Sequence, residues 1–317
     1  MRIMAILAVP ALAAGLIPAG QQPAEELPRI TVEVDVVNVL CAVRDKRGGL
    51  VANLTKDDFI VLEDGRPQEI RYFSRETDLP LTIGLLVDVS KSQENLIEIE
   101  KQAAGRFLSE VLRPKDLAFL ISFGVDAELL QDLTGSVPLL RRALDELRLN
   151  AAVGGILPPP VPTGKPRGTV LYDAVYLAAV ERLEREVGRK VMVVISDGVD
   201  VGSRVSREQA IEAAQKADAI IYAIYYADPR YQFFGDGYGA LKRMAEETGG
   251  RVFRVSRRLP LEAIFAEIQE EMRSQYSIGY TPTNPAKDGS FRRLEIQTRQ
   301  KGLRVQARKG YYALKRS

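Results

Sequence analysis

The sequence contains no histidine and only one cysteine among its 317 residues. Without histidine, the chain cannot use Ser-His-Asp or Cys-His catalysis, a histidine-ligated zinc ion or the commonest general base. One cysteine excludes an intramolecular disulfide and a four-cysteine zinc site. Cys41 lies in an alternating apolar segment, so we expect it to be a small core residue. Any site chemistry then depends on carboxylates, hydroxyls, lysine or tyrosine, and any metal is expected to be a hard ion.

Neither sign of charge dominates the chain. Lysine and arginine number 44, aspartate and glutamate 42, and the formal net charge is +2. This balance offers no basic field for a nucleic acid and no acidic tail typical of disorder. With 46% hydrophobic and 27% charged residues, the composition is that of a globular protein with one large or two modest cores.

The sequence has one long apolar run, at residues 1–20, MRIMAILAVPALAAGLIPAG. Its single charged residue is Arg2. A thin basic start, an apolar stretch and small residues at its end are typical of a secretory signal peptide. Pro10 and Pro18 interrupt the run, and a membrane-spanning helix needs about 20 continuous apolar residues, so retention as an anchor is the weaker alternative. We expect an exported protein in the periplasm, outside the cell or at the cell envelope, with no integral span after signal removal.

Two segments have the period of two that is typical of strands. After a polar linker at 21–29, residues 30–78 alternate and contain a hairpin at Asp64-Gly65, and residues 277–317 alternate again. Neither segment has enough strands to bury a core alone. We expect both to pack together as one β-sandwich; the alternative is that each docks separately on the intervening domain.

The intervening residues 79–276 alternate between continuous apolar runs and amphipathic helices. This pattern predicts an α/β domain with a doubly wound, mainly parallel sheet covered on both faces. In the first helix, predicted over 93–112, helical spacing places one set of residues on the buried face: Leu96, Ile99, Ala103, Phe107 and Val111. Strands are predicted at 81–90, 117–123, 128–134, 190–196, 219–227 and 251–255.

Oxygen-bearing side chains follow the predicted strands where those strands end. Asp88, Ser90 and Ser92 lie at the end of the first strand, Thr169 precedes the helix at 170, and Asp197 follows the strand at 190. Ligands of doubly wound sheets bind beyond the carboxyl ends of the strands, so we expect these five side chains to meet. Two carboxylates and three hydroxyls predict a Mg²⁺ site, with Mn²⁺ or Ca²⁺ as alternatives. With so few carboxylates, such an ion favours an additional anionic oxygen from a partner's Asp or Glu.

The same residues carry a family resemblance. The segments LLVDVSKS, GTVLYDAV and VMVVISDG resemble the metal-ion-dependent adhesion site of von Willebrand factor type A domains, over roughly residues 80–276. The resemblance implies that Ser90 and Ser92 ligate the ion directly, that Asp88 and Asp197 do so directly or through water, and that Thr169 enters or leaves the first shell. The flanking text, LTKDDFIVLEDGRPQEIRYFS and SIGYTPTNP, is also similar to a group of bacterial secreted proteins related to these domains.

An aromatic loop follows the strand at 219. It carries Tyr231, Phe233, Phe234 and Tyr238, which we call the aromatic rim. Exposed aromatic side chains beside a site suit a protein interface. The alternative is that these rings pack against the neighbouring elements of the same chain.

Three functions are consistent with these features. The first is a metal-dependent module that binds an acidic side chain of a protein partner. The second is a metal-assisted hydrolase, for which the nearby candidate bases are Asp173, Asp200 and Asp228. The third is a structural role in the envelope with an incidental metal. Because no candidate base has a partner identifiable from the sequence, we expect a binding module rather than an enzyme.

Overall fold

The computed structural model describes residues 36–75, 79–150, 168–228, 230 and 236–314. The predicted signal peptide and linker lie outside these residues. Within the described part, no helix is long and apolar enough to cross a membrane.

The described residues form fourteen strands and six helices. The strands are β1 (Val37–Arg44), β2 (Phe59–Glu63), β3 (Arg66–Gln68), β4 (Ile70–Arg75), β5 (Leu81–Asp88), β6 (Leu117–Phe123), β7 (Ala127–Thr134), β8 (Arg189–Ser196), β9 (Ala219–Tyr225), β10 (Val252–Arg254), β11 (Tyr276–Tyr280), β12 (Phe291–Thr298), β13 (Arg304–Ala307) and β14 (Gly310–Tyr312). The helices are α1 (Ile97–Val111), α2 (Val137–Asp145), α3 (Leu171–Leu177), α4 (Arg207–Lys216), α5 (Gly237–Thr248) and α6 (Leu261–Arg273). A π-helical turn, Ala178–Leu183, extends α3.

The central sheet has six strands in the order β10-β9-β8-β5-β6-β7. All neighbours are parallel except the edge pair β6 and β7. Every residue of β5 and β8 is buried, because helices cover both faces of the sheet. The expectation of a doubly wound, mainly parallel α/β domain is confirmed.

The helices divide evenly between the two faces. Apolar side chains of α1, α2 and α6 form one core with the side chains of β5 and β8 that point to the same face of the sheet. Those of α3, α4 and α5 form the core on the opposite face. The carboxyl ends of the parallel strands are therefore left open between two helical layers.

The buried face of α1 differs from the sequence prediction at one position. Ile99 was expected inside, but it is 46% exposed, whereas Glu100 is fully buried between Ile97 and Ala103. The prediction followed hydrophobicity, which favoured Ile99 over its charged neighbour. A carboxylate thus occupies a place on the inner face of α1 where an apolar residue would be the default.

Strands from the two ends of the chain intermix in two further sheets. Their orders are β13-β1-β11-β4 and β14-β12-β2-β3, so each sheet combines strands from before and after the α/β domain. The two sheets share a core in which Phe59 packs edge-on against Tyr276, with ring centroids 5.3 Å apart. The predicted β-sandwich is confirmed, and separate docking of the two segments is not what the structure has. Cys41 lies in this core, and burial raises the pKa of its thiol to about 12.

A buried glutamate of α6 ties the sandwich to the α/β domain. Glu271 has no exposed surface, and its Oε2 accepts from Arg44 of β1 at 2.5 Å and from Arg251 at 3.1 Å. Its Oε1 accepts from the amide of Gln306 in β13 at 2.5 Å. Two of these three partners belong to the sandwich, so the network joins the helix to two neighbouring strands, β1 and β13, of one sandwich sheet.

Candidate metal centre

The candidate site lies where the strand order reverses. From β5 the chain passes to β6 on one side, and it later returns as β8 on the other side of β5. The carboxyl ends of β5 and β8 therefore border the crevice in which ligands of such sheets bind. Asp88 is the last residue of β5, and Asp197 directly follows β8.

Asp88 is held rigidly in this crevice. It has no exposed surface. Its Oδ1 accepts from the backbone N–H of Ser90 at 2.9 Å, and its Oδ2 accepts from the hydroxyl of Ser196 at 2.6 Å. Ser196 in turn accepts from the N–H of Gly198 at 2.9 Å. The hydroxyl of Ser196 therefore orients Asp88, a role that the sequence analysis did not assign to it.

The surroundings of Asp88 are strongly unfavourable to its negative charge. Burial, together with the nearby Asp197 carboxylate, raises the pKa of Asp88 to about 7, against the opposing hydrogen bonds from Ser196 and Ser90. Two carboxylates placed so close that one opposes the ionisation of the other attract a proton or a cation. The crevice is therefore electrostatically suited to a bound cation.

The two serines of the loop after β5 lie side by side. The hydroxyl oxygens of Ser90 and Ser92 are 3.0 Å apart. Ser90 is buried and Ser92 is half-buried, so the pair lies between the interior and the surface. Neighbouring hydroxyl oxygens beside a carboxylate are suitable ligands for a small hard ion.

Thr169 lies on a loop bonded to the loop that follows Asp197. Its carbonyl oxygen accepts from the N–H of Val201 at 3.0 Å and of Gly202 at 3.1 Å. The next residue, Val170, donates its N–H to the carbonyl of Gly124, at the end of β6, at 2.9 Å. The threonine is thus carried to the same edge of the sheet as Asp197. The structure gives no side-chain contact between Thr169 and the other four predicted ligands.

The Asp197 loop packs tightly against the start of α5. The Asp197 Oδ1 accepts from the N–H of Val199 at 3.0 Å, which fixes the side chain beside the turn. Gly198 has a φ of +76°, and a Cβ at this position would lie 2.2 Å from the carbonyl oxygen of Gly237. Only glycine satisfies both the backbone conformation and this close approach. The Asp-Gly pair therefore sets the position of the second carboxylate.

A third carboxylate lies behind the site. Glu100 is fully buried, and its pKa is raised well above the ordinary value by burial and by the charges of Asp88 and Asp197. Gln93 is also fully buried, and its amide nitrogen donates to the carbonyl of Tyr226 at 3.1 Å. Neither residue was predicted from the sequence. The signal for Glu100 was its position in α1, three residues after Ile97 and seven before Phe107, in register with the buried face.

The aromatic rim is only partly described. Tyr231, Phe233 and Phe234 lie outside the described residues. The Tyr238 ring packs edge-on against Tyr225 at a centroid distance of 5.5 Å, and the guanidinium of Arg254 lies over both rings. For Tyr238, the structure therefore has the alternative arrangement, in which the ring packs against neighbouring elements of the same chain.

The three carboxylates considered as catalytic bases are engaged in holding loops. Asp173 accepts from the N–H groups of Arg204 and Val205. Asp200 accepts from the hydroxyl of Ser203 at 2.6 Å and from the N–H of Tyr172. Asp228 accepts from Asn95 and Arg230. Each therefore has a structural partner that accounts for its presence.

The donor set suits a hard divalent cation. The described residues contain no group of three or more His, Cys, Asp or Glu side chains placed to ligate one ion, so a metal here would depend on hydroxyl oxygens as well. Two carboxylates with adjacent serine hydroxyls fit Mg²⁺, which accepts oxygen ligands and usually keeps some of its waters. Oε1 and Oε2 of Glu100 and Oε1 of Gln93 have no hydrogen-bond donor among the described residues, and a hydrated cation supplies such donors.

Comparisons with known proteins give distant similarities only. Neither the protein-family models nor the curated proteins gave a match to this sequence. Among solved structures, the chain is similar to BatB from Bacteroides thetaiotaomicron, with 19% identity over 61% of this chain and 100% of that chain, at a TM-score of 0.43. It is also similar to an aerotolerance-related membrane protein from Bacteroides fragilis, with 16% identity over 61% and 98% of the two chains and a TM-score of 0.45. A third is proximal thread matrix protein 1 from the mussel byssus, with a zinc-occupied MIDAS motif, at 17% identity over 66% and 49% of the two chains and a TM-score of 0.49.

The strand order decides the fold independently of these scores. The sheet has the order β10-β9-β8-β5-β6-β7 with one antiparallel edge, and the Asp-x-Ser-x-Ser segment lies at the end of its central strand β5. It is the doubly wound, mainly parallel sheet that was predicted. The α/β domain has the von Willebrand factor type A fold. In this type A domain, the loops after β5 and β8 bring Asp88, Ser90, Ser92 and Asp197 to one crevice, and the loop before α3 brings Thr169 to the same sheet edge.

Proposed function

We propose that this protein is an exported, metal-dependent binding module for a protein partner. The observation that supports it most is the pairing of Asp88 and Asp197 across the switch point, with the Ser90 and Ser92 hydroxyls 3.0 Å apart beside them. Asp88, Ser90, Ser92, Thr169 and Asp197 hold the ion, and Mg²⁺ is the ion that best suits these ligands. When bound, the positively charged ion offers an open coordination position at the surface of the crevice.

The proposed ligand is an Asp or Glu side chain of the partner. The crevice contains no lysine or arginine that forms an ion pair with Asp88 or Asp197 among the described residues. Neutral hydroxyl ligands leave the ion electron-poor, and a partner carboxylate would complete its oxygen coordination. The near-zero net charge of the chain supports recognition of one acidic group at close range rather than attraction of a polyanion.

The position of the crevice supports binding more than catalysis. Serine hydroxyls and a buried carboxylate pair offer an ion, but Asp173 and Asp200, the polar groups of the neighbouring loops, are already bonded to backbone N–H groups. Both carboxylates therefore hold loops rather than serving as general bases beside the ion. We infer that the module uses its metal to hold a carboxylate.

Partner capture with and without chelation tests this function. Immobilised protein is incubated with an envelope extract of the cells that produce it, in Mg²⁺, in EDTA, and in EDTA followed by excess Mg²⁺. We expect a bound protein to be lost with EDTA and regained with Mg²⁺, and to be absent when the immobilised chain carries Asp88→Ala. Capture that is equal in all four arms would contradict the proposal and favour a structural role with an incidental metal.

A further inference from the structure

Three buried oxygen atoms near the candidate metal centre have no hydrogen-bond donor within the part of the chain that the structure describes. They are Oε1 and Oε2 of Glu100 and Oε1 of Gln93, and both residues are fully buried. No described side chain forms an ion pair or a hydrogen bond with the Glu100 carboxyl group. Buried acceptors without a donor are rare in folded proteins, since each one costs free energy comparable to a lost hydrogen bond.

These acceptors lie on the side of the site that faces the interior. Gln93 directly follows Ser92. Its amide nitrogen donates to the carbonyl of Tyr226, and its amide oxygen has no donor among the described residues. Glu100 follows in the first turn of α1 and interacts electrostatically with both Asp88 and Asp197. The orphaned oxygens and the two site carboxylates therefore belong to one buried acidic cluster.

Packing alone gives no reason for a glutamate at this position. Its neighbours on the buried face of α1 are Ile97, Ala103, Ala104 and Phe107, and an apolar residue would complete that face without an unpartnered group. Glu271, the other fully buried glutamate of the α/β domain, has three side-chain partners. Glu100 differs from it because its carboxyl oxygens have no hydrogen-bond partner among the described residues.

The missing partner is a donor, and a hydrated cation in the crevice would supply one. The described residues hold no trio of acidic side chains arranged around a single ion, so Glu100 is not a third direct ligand beside Asp88 and Asp197. Water that coordinates a metal is a strong donor, and buried water typically satisfies otherwise unpaired polar groups. With the ion bound, an ionised Glu100 would also add negative charge that favours the ion.

We propose that Glu100, assisted by the amide oxygen of Gln93, is a positioning residue of the metal centre that accepts hydrogen bonds from metal-bound water. This inference rests on the proposed function, because it needs an ion in the crevice. It extends the site from five residues on the strand-end loops to the first turn of α1. The type A domain of this chain then holds its ion with a buried outer carboxylate as well as with the ligands of the adhesion motif.

Titration calorimetry with Mn²⁺ and with Mg²⁺ tests the inference through metal affinity. We expect Glu100→Gln, which keeps the size of the side chain and removes its charge, to raise the metal Kd by about 10- to 100-fold. The matched control is Glu63→Gln. Glu63 is another buried glutamate, but it lies in the sandwich and accepts from Tyr280 and Tyr311. We expect the control to keep the wild-type Kd, and thermal melting without metal reports separately on the fold of each variant.

The outcomes separate this inference from the proposed function. If wild-type protein binds neither ion, the proposed function fails. If the wild type binds and the Kd of Glu100→Gln rises less than threefold, or the Glu63→Gln control loses affinity equally, the role of Glu100 is overturned. Should Glu100→Gln not fold, Glu100→Asp takes its place, because it retains the charge but withdraws the oxygens; a rise of more than threefold supports the role and a smaller one overturns it.

Discussion

Asp88→Ala abolishes metal binding, while the protein remains folded. Asp88 is the most buried of the predicted ligands, and it bridges the Ser90 loop and Ser196. A pair of unit charges 4 Å apart at an effective dielectric constant of 20 is worth about 4 kcal/mol, which corresponds to roughly a thousand-fold in affinity. In calorimetric titration with Mg²⁺ or Mn²⁺, we therefore expect the heat of binding by Asp88→Ala to fall below detection.

The fold should tolerate this change because, without metal, the surroundings of Asp88 oppose the ionisation of its carboxyl group. Its raised pKa means that the folded protein disfavours the charged form that prevails in the unfolded chain near neutral pH. Asp228→Ala is the matched control, since Asp228 also follows a strand of the same sheet and bonds to Asn95 and Arg230. Wild-type metal affinity in Asp88→Ala, or an equal loss of metal affinity in Asp228→Ala, would show that Asp88 does not ligate the ion.

Glu271→Ala destabilises the protein by about 3–5 kcal/mol. Removing one member of a buried ionic network leaves its partners without compensation, and costs of this size are typical. Here the change removes the acceptor of Arg44, Arg251 and Gln306 together, and it leaves a cavity under α6. We expect urea denaturation followed by circular dichroism to show the loss in the free energy of unfolding.

Glu270→Ala is the control for this prediction. Glu270 is the preceding residue of α6 and is exposed, so its removal should change the free energy of unfolding by less than about 0.5 kcal/mol. A loss below about 1 kcal/mol in Glu271→Ala would show that the network does not stabilise the contact between sandwich and α/β domain.

Hydrophobic pattern predicted the layers of this fold well because the buried strands are continuous apolar runs. β5 and β8 are buried along their whole length, as LTIGLLVD and RKVMVVIS suggest. Pattern failed in α1, where Ile99 is exposed and Glu100 buried. The buried face of a helix is predicted from its most apolar stripe, and a buried carboxylate inside that stripe shifts the predicted register by one residue.

Topology predicted the edge of the sheet at which the candidate site lies, and the five metal ligands remain a prediction. Asp88 and Asp197 follow strands that are neighbours at the switch point, so their meeting follows from strand order. Ser196, Gln93 and Glu100 were missed because their roles depend on hydrogen bonds, or the lack of them, across elements. No spacing in a sequence records that the oxygens of Glu100 have no donor.

Glu100 changes the electrostatic picture of the site. From sequence, two carboxylates were available, and an ion bound there was expected to be electron-poor. The structure places a third carboxylate within the electrostatic reach of Asp88 and Asp197, on the interior side. With an ion bound, an ionised Glu100 would favour its retention and would leave its outward position for a partner, since the Ser92 side of the crevice is half-buried.

Diffraction from crystals grown with Mn²⁺ shows directly whether these residues hold a metal. The anomalous signal of manganese locates the ion without reference to any assumed ligand. We predict one strong peak in the crevice, about 2 Å from the hydroxyl oxygens of Ser90 and Ser92 and beside Asp88 and Asp197. A map with no peak there, or with manganese only at other carboxylates of the chain, would contradict a metal centre at the end of β5.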